Sequence, residues 1–141
     1  MNNLSKKSAA NFFAQYRVYY EDTDAGGVMY YANYLKFFER ARTDFLRNLE
    51  ISQHELIEKE KTAFVVRRCE LDYLRPARLD DLVEVTVVVE EINAASIVMR
   101  QEMQKDKAVL ARLKVEIVSV DVESFRPKKI TDGFRALLSG A

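Results

Sequence analysis

The stretch Tyr31-Ala32-Asn33-Tyr34-Leu35-Lys36-Phe37-Phe38-Glu39-Arg40-Ala41-Arg42-Thr43-Asp44-Phe45-Leu46-Arg47-Asn48-Leu49 decides the fold. Within it Tyr31, Tyr34, Leu35, Phe38, Ala41, Phe45 and Leu49 recur at intervals of three and four, the spacing of one helix face. Lys36, Glu39, Arg40, Asp44 and Arg47 fall mostly elsewhere, while Phe37 and Leu46 widen the apolar face. At about 1.5 Å per residue such a helix is about 28 Å long. A face this broad and aromatic suits a helix covered on most sides.

The cover is legible downstream, where the period changes to two. In 63–73 the odd positions Ala63, Val65, Arg67, Cys69, Leu71 and Tyr73 share one face, and the turn Arg75-Pro76-Ala77-Arg78 stops the strand. Val83, Val85, Val87 and Val89 then line one face, with Glu84 and Glu90 opposite. Asn93-Ala94 connects tightly to Ala95, Ile97, Met99 and Met103, and Lys105-Asp106-Lys107 makes the next turn. Val109, Ala111, Leu113, Val115 and Ile117 point inward from the last long strand. Three consecutive strands with short turns predict an antiparallel meander. One polar face per strand means one covered face, and only the 31–49 helix is apolar enough to cover it. Tyr16–Tyr20 reads as a further short strand, and residues 1–12 as a flexible polar start. A weaker helix over Ser52–Lys59 opens on a Ser52/Glu55 capping box, and Thr131–Leu138 forms a short terminal helix. The expected class is α+β, a single domain over 1–141 with a curved antiparallel sheet wrapped around one long central helix.

Composition removes several kinds of function. The 141 residues are 48% hydrophobic and 31% charged, a globular balance. Lys plus Arg and Asp plus Glu are 22 each, so the chain lacks the basic excess of a nucleic-acid binder. No apolar run approaches the roughly 18 residues of a membrane-spanning helix. The opening Met1-Asn2-Asn3-Leu4-Ser5-Lys6-Lys7 lacks a secretory apolar stretch, so the cytoplasm is the expected compartment. Cys69 is the only cysteine, which excludes an intrachain disulfide and a cysteine-rich zinc site. Its place on the inward face predicts a packed core thiol. His54 is the only histidine, so no two-histidine metal site fits within one chain. A Ser-His-Asp or Cys-His device could be built only around His54, which reads as a solvated residue far from the richest motif. The acid or base of an enzyme is therefore expected to be a carboxylate.

That motif is Glu21-Asp22-Thr23-Asp24-Ala25-Gly26-Gly27, two aspartates and two glycines between a strand and the buried helix. Two readings fit. In one, Asp22 and Asp24 only satisfy backbone donors in a turn. In the other, free N–H groups at the helix N-terminus polarise a carbonyl, glycines admit a ligand, and a carboxylate activates water or attacks. A calcium loop fails at its twelfth position, where Asn33 replaces Glu, and no phosphate-loop pattern is present. The run Tyr30-Tyr31-Ala32-Asn33-Tyr34 reads as core packing rather than a stacking platform for bases. Arg67-Arg68, Arg75, Arg78 and Arg126-Pro127-Lys128-Lys129 are solvated residues or contacts to a nucleotide phosphate.

Taken together, Tyr19-Tyr20-Glu21-Asp22-Thr23-Asp24-Ala25-Gly26-Gly27-Val28-Met29-Tyr30-Tyr31-Ala32-Asn33-Tyr34 resembles the hotdog-fold acyl-CoA thioesterases of the YbgC type, related to 4-hydroxybenzoyl-CoA thioesterase. The likeness continues through Phe38-Glu39-Arg40-Ala41-Arg42, Ala63-Phe64-Val65-Val66-Arg67 and Tyr73-Leu74-Arg75-Pro76-Ala77-Arg78-Leu79-Asp80-Asp81. It implies a sheet wrapped on a central helix, dimers or tetramers, and active sites at the dimer interface. The activity implied is hydrolysis of an acyl-CoA thioester to a carboxylate and free CoA, without a metal or organic cofactor. The catalytic carboxylate of the family matches Asp24, and its oxyanion contact, a backbone N–H seven residues on, matches Tyr31. Many YbgC-type sequences carry His at that position and the hydroxybenzoyl type carries Tyr; a backbone role survives either residue, but an acyl preference does not transfer. Acyl carrier protein is a second substrate class, and a peripheral membrane association follows from the likeness to members linked to the Tol-Pal system. The rival readings are a hotdog dehydratase, for which His54 is badly placed, and a non-catalytic acyl-CoA or protein-binding module.

Overall fold

Alternation of apolar and polar residues builds the sheet, and one amphipathic helix fills its face. The computed structural model describes residues 12–140. The elements are β1 (Phe12–Arg17), α1 (Asn33–Asn48), α2 (Gln53–Glu60), β2 (Thr62–Tyr73), β3 (Leu82–Ile92), β4 (Ser96–Lys105), β5 (Ala108–Asp121) and α3 (Asp132–Gly140). The five strands form one antiparallel sheet in the order β1-β3-β4-β5-β2. The expected meander is β3-β4-β5. Its last turn puts Asp106 and Lys107 at φ +50° and +69°, the two left-handed residues of a tight hairpin whose twist matches its strands.

Helix α1 lies against β1 and β3. Tyr34, Phe37, Phe38, Ala41, Phe45 and Leu46 are buried, together with Val83, Val85 and Val87 of β3 and Met99 and Met103 of β4. A polar relay crosses this core: Arg42 donates to Gln101 Oε1 at 2.9 Å, and Gln101 Nε2 donates to the Phe38 carbonyl at 3.0 Å. Burial pushes the Arg42 pKa down, against the neighbouring Glu39. Tyr16 of β1 donates to Asp44 of α1, a second tie between sheet and helix. The outer face of the sheet is laced by cross-strand pairs, Arg67–Glu116, Arg100–Glu90 and Arg112–Glu102. That is the polar face the alternation predicts. Ser52 caps α2 by accepting from the Glu55 N–H at 3.2 Å, as expected, and His54 is exposed.

Four expectations change. The first strand is Phe12–Arg17 rather than Tyr16–Tyr20. Phe12, Ala14 and Tyr16 pair with Val87, Val85 and Val83, so the period-two face begins earlier, and Tyr20–Asp22 instead form a single 3-10 turn. Phe12, expected in the flexible start, is buried; residues 1–11 lie outside the described residues. In β2 the odd positions do not share one face throughout. Val66 pairs with Ile117 and Arg68 with Glu116, so Arg67 is an unpaired bulge residue. Phe64 and Val66 face inward before it, and Cys69, Leu71 and Tyr73 after it. Finally, Cys69 is exposed rather than packed. Its face is the inward one, but β2 is the edge of the sheet and α1 sits over the opposite side. Val66 and Tyr73 on the same face are 52% and 46% exposed for the same reason.

Candidate active site

The two-aspartate loop is a small hairpin. Thr23 bridges Met29, the Asp24 N–H donates to the Val28 carbonyl at 2.9 Å, and the Tyr30 N–H donates to the Asp22 carbonyl at 3.0 Å. The tip closes when the Gly27 N–H donates to the Asp24 carbonyl at 3.1 Å. Gly27 stands at φ +79°, a conformation that side chains with a Cβ rarely adopt. The hairpin is strapped to the β2–β3 connection: the Met29 N–H donates to the Ala77 carbonyl at 2.7 Å and the Leu79 N–H to the Gly27 carbonyl at 3.1 Å. The buried Tyr34 hydroxyl accepts from the Ala77 N–H at 3.0 Å and ties the same connection to α1.

The two aspartates have different surroundings. Asp22 is 6% exposed; it accepts from the Tyr19 N–H at 2.8 Å and from Asn33 Nδ2 at 2.7 Å. It joins the start of the hairpin to the first residue of α1, which is the turn-forming reading. Asp24 is exposed. Its Oδ1 accepts from the Gly26 N–H at 2.8 Å, and no donor among the described residues reaches Oδ2. One oxygen of Asp24 thus shapes the tip, and the other is free to meet a ligand or water. Asp22→Ala removes the buried carboxylate that holds the Tyr19 N–H and the Asn33 amide and is expected to cost about 1–3 kcal/mol of stability. Urea denaturation measures it, and an unchanged midpoint would show that the clamp is idle.

Tyr31, expected as the first residue of the helix, lies two residues before α1, in the turn that feeds it. The Asn33 N–H donates to the Tyr30 carbonyl at 2.8 Å, and the Tyr34 N–H reaches the Tyr31 carbonyl at 3.4 Å. The N–H groups of Tyr31 and Ala32 have no acceptor among the described residues. A trans peptide points its N–H opposite to its C=O, so the Tyr31 N–H faces away from Asn33 and the body of the helix. There the dipole of α1 presents its positive end. Asp24 sits at the outer end of the hairpin and Tyr31 at its inner end.

Around Tyr31 is a cluster of tyrosines. The Tyr30 and Tyr31 ring centroids are 4.9 Å apart, and Tyr73 stands edge-on to Tyr34 at 5.0 Å and to Tyr31 at 6.3 Å. The Tyr73 hydroxyl donates to the Tyr31 carbonyl at 2.9 Å. Burial, then the neighbouring Tyr34, Tyr31 and Cys69, push the Tyr73 pKa up and keep it a donor. The Tyr31 hydroxyl does the same for Tyr30 through a hydrogen bond. Tyr31 itself is 63% exposed and Leu35 41%, so both leave the buried face on which spacing puts them. Among the described residues no three His, Cys, Asp or Glu side chains converge as a metal site. The roles of Tyr73 and Ala77 are not legible in the sequence; the only signal is their place in the resembling segment 73–81.

Comparison with known proteins identifies the family. Residues 18–138 match the family model described as the thioesterase-like superfamily. The chain is 46% identical over 111 residues to the acyl-CoA thioesterase YbgC of Haemophilus influenzae, spanning 79% of this chain and 82% of that protein. It is 43% identical over 115 residues to the acyl-CoA thioester hydrolase YbgC of Escherichia coli O6:H1, spanning 81% and 85%. Among solved structures, a probable thioesterase from Bartonella henselae superposes with a TM-score of 0.83 at 37% identity, covering 86% of this chain and all of that one.

Proposed function

The chain belongs to the thioesterase-like superfamily as a YbgC-type hotdog thioesterase, and from that premise we propose that it hydrolyses acyl-CoA thioesters through Asp24 and the backbone N–H of Tyr31. The observation that carries this reading is a free carboxylate oxygen on a hairpin that runs into unpaired amides at the head of α1. The thioester carbonyl accepts from the Tyr31 N–H, which draws charge onto oxygen as the tetrahedral intermediate forms. Asp24 serves in one of two ways. As general base it takes a proton from water while the hydroxide adds to the acyl carbon; the C–S bond then breaks and the proton ends on the CoA sulfur. As nucleophile it forms a mixed anhydride and expels CoA thiolate, and water then cleaves the anhydride to release the carboxylate. Both routes give the same products. Neither needs an imidazole, which suits a chain with one exposed histidine.

Thiol release from acyl-CoAs of increasing chain length, with one aromatic thioester and one acyl carrier protein thioester, tests the activity and reads its preference. A protein that binds these thioesters and never frees thiol would be a binding module instead.

The same reading includes a homodimer. Among the described residues the β2 edge has no partner strand, and Val66 and Tyr73 on its inward face are exposed, as are Tyr31 and Leu35. An open, apolar strand edge is a surface that pairing with a second copy would cover. In sedimentation equilibrium the protein should have twice its chain mass or a multiple of that, and Val66→Asp should shift it toward the monomer. A monomeric wild type with full activity would contradict the dimer.

A further inference from the structure

We propose that Tyr73 is a positioning residue for the amide at Tyr31, an inference that rests on the thioesterase reading of the site. An oxyanion donor works only if it is held where charge develops. The Tyr31 peptide is held from two sides. On its N-terminal side the Tyr30 carbonyl, in the same peptide plane as the Tyr31 N–H, accepts from the Asn33 N–H at 2.8 Å. Asn33 is itself anchored on buried Asp22 at 2.7 Å. On the C-terminal side the helix contributes little, because the Tyr34 N–H stands 3.4 Å from the Tyr31 carbonyl, a long and weak contact. The Tyr73 hydroxyl, at 2.9 Å, is the strong partner of that carbonyl.

Tyr73 can hold the turn because its own ring is fixed. It is the last residue of β2, paired with Ala111 in the sheet, and its ring packs edge-on against Tyr34. The connection that follows is tied to the Leu110 carbonyl by the Leu74 and Arg75 N–H groups, at 2.9 and 3.0 Å. The hydroxyl thus transfers the rigidity of the sheet to a turn that the helix does not yet hold. Fixing both flanks of Tyr31 sets its backbone dihedrals and so the direction of its N–H. The hydroxyl also pulls charge onto the carbonyl it binds, which polarises the peptide of the adjacent Ala32 N–H. Tyr73 need not touch the substrate for this.

Steady-state kinetics on an acyl-CoA that the wild type hydrolyses tests the proposal. Tyr73→Phe keeps the ring and removes the tie. It should lower kcat about ten-fold with KM within about two-fold, since small displacements of a positioned group are costly in the transition state. Tyr34→Phe is the reference: it breaks the buried contact to the Ala77 N–H and leaves the Tyr31 carbonyl alone. It should lower the melting temperature more than Tyr73→Phe and kcat less. An unchanged kcat in Tyr73→Phe, or equal kcat losses in the two variants, would overturn the proposal. A second variant covers failure of Tyr73→Phe to fold. Difluorotyrosine at position 73 keeps ring and hydroxyl but ionises nearer neutrality, and an ionised oxygen cannot donate. Its kcat should fall as pH rises through that ionisation, where the wild type stays level; a level profile overturns the proposal. Asp24→Asn in the same assay separates the two readings. If it keeps the wild-type rate, the thioesterase site is wrong; if it is inactive while Tyr73→Phe is normal, only the positioning role is lost.

Discussion

Asp24→Asn is expected to lower the rate of thiol release by at least about a hundred-fold and to leave the denaturation midpoint where it was. The substitution separates the two tasks of the side chain. The Oδ1 atom accepts from the exposed Gly26 N–H at 2.8 Å, and an amide oxygen in its place still accepts, though without the charge. The hairpin therefore keeps its tip, its bridge between Thr23 and Met29 and its strap to Ala77 and Leu79. An amide cannot take a proton from water, and it is a poor nucleophile toward a thioester. Chemistry is lost and shape is kept. On the proposed mechanism, the residual rate is what the amide at Tyr31 and substrate binding supply alone. A rate that falls only in step with the amount of folded protein would leave Asp24 as a turn former, and equal rates would remove it from the reaction.

Phe38→Ala should destabilise the protein by about 3–5 kcal/mol, the range for deleting a fully buried aromatic ring. Phe38 has no exposed surface, and it sits mid-helix against the buried inner face of the sheet. Its carbonyl accepts from Gln101, which in turn receives the Arg42 guanidinium. The cavity therefore opens beside buried polar groups whose partners depend on the helix keeping its seat. Domains of this size are stable by only about 5–15 kcal/mol, so the variant should sit close to unfolding at moderate temperature. Lys36→Ala, on the exposed side of the same helix, should change stability by no more than about 0.5 kcal/mol. Paired urea titrations measure both, and similar losses at the two positions would mean that α1 is not the centre of the core.

The helix is legible because apolar spacing sustained over five turns fits a buried helix and little else, and the meander because three strands alternate with tight turns between them. What stays hidden in the sequence has specific causes. Tyr31 and Leu35 continue the apolar spacing of α1, yet spacing cannot tell which part of a face the sheet reaches. Period-two alternation puts Cys69 on the correct face and in the wrong environment, because inwardness follows from local period whereas burial depends on an element elsewhere in the chain. The bulge at Arg67 is invisible to such alternation, which assumes one residue per partner. In the candidate site, the two-aspartate loop stands out by residue type, whereas the amide at Tyr31 is singled out only through the family resemblance. The division of labour between Asp22 and Asp24 does not, since both are Asp in the same loop and differ only in what approaches them. Tyr73, Ala77 and Leu79 meet the loop across some forty to fifty residues of chain, a separation no local pattern encodes.

The unpaired residue at position 67 sets the phase of everything that follows it in its strand. Because a strand alternates sides at every step, one surplus residue exchanges the two sides beyond it. Downstream of it a thiol, a leucine and a tyrosine turn to the inner face, while Glu70 and Asp72 stand opposite Lys114 and Arg112 in register. The bulge is therefore what lets Phe64 and Val66 before it, and Cys69, Leu71 and Tyr73 after it, share the inner face. Forced into strict alternation with no bulge, the same residues would turn Glu70 and Asp72 inward and Tyr73 to the far side of the sheet.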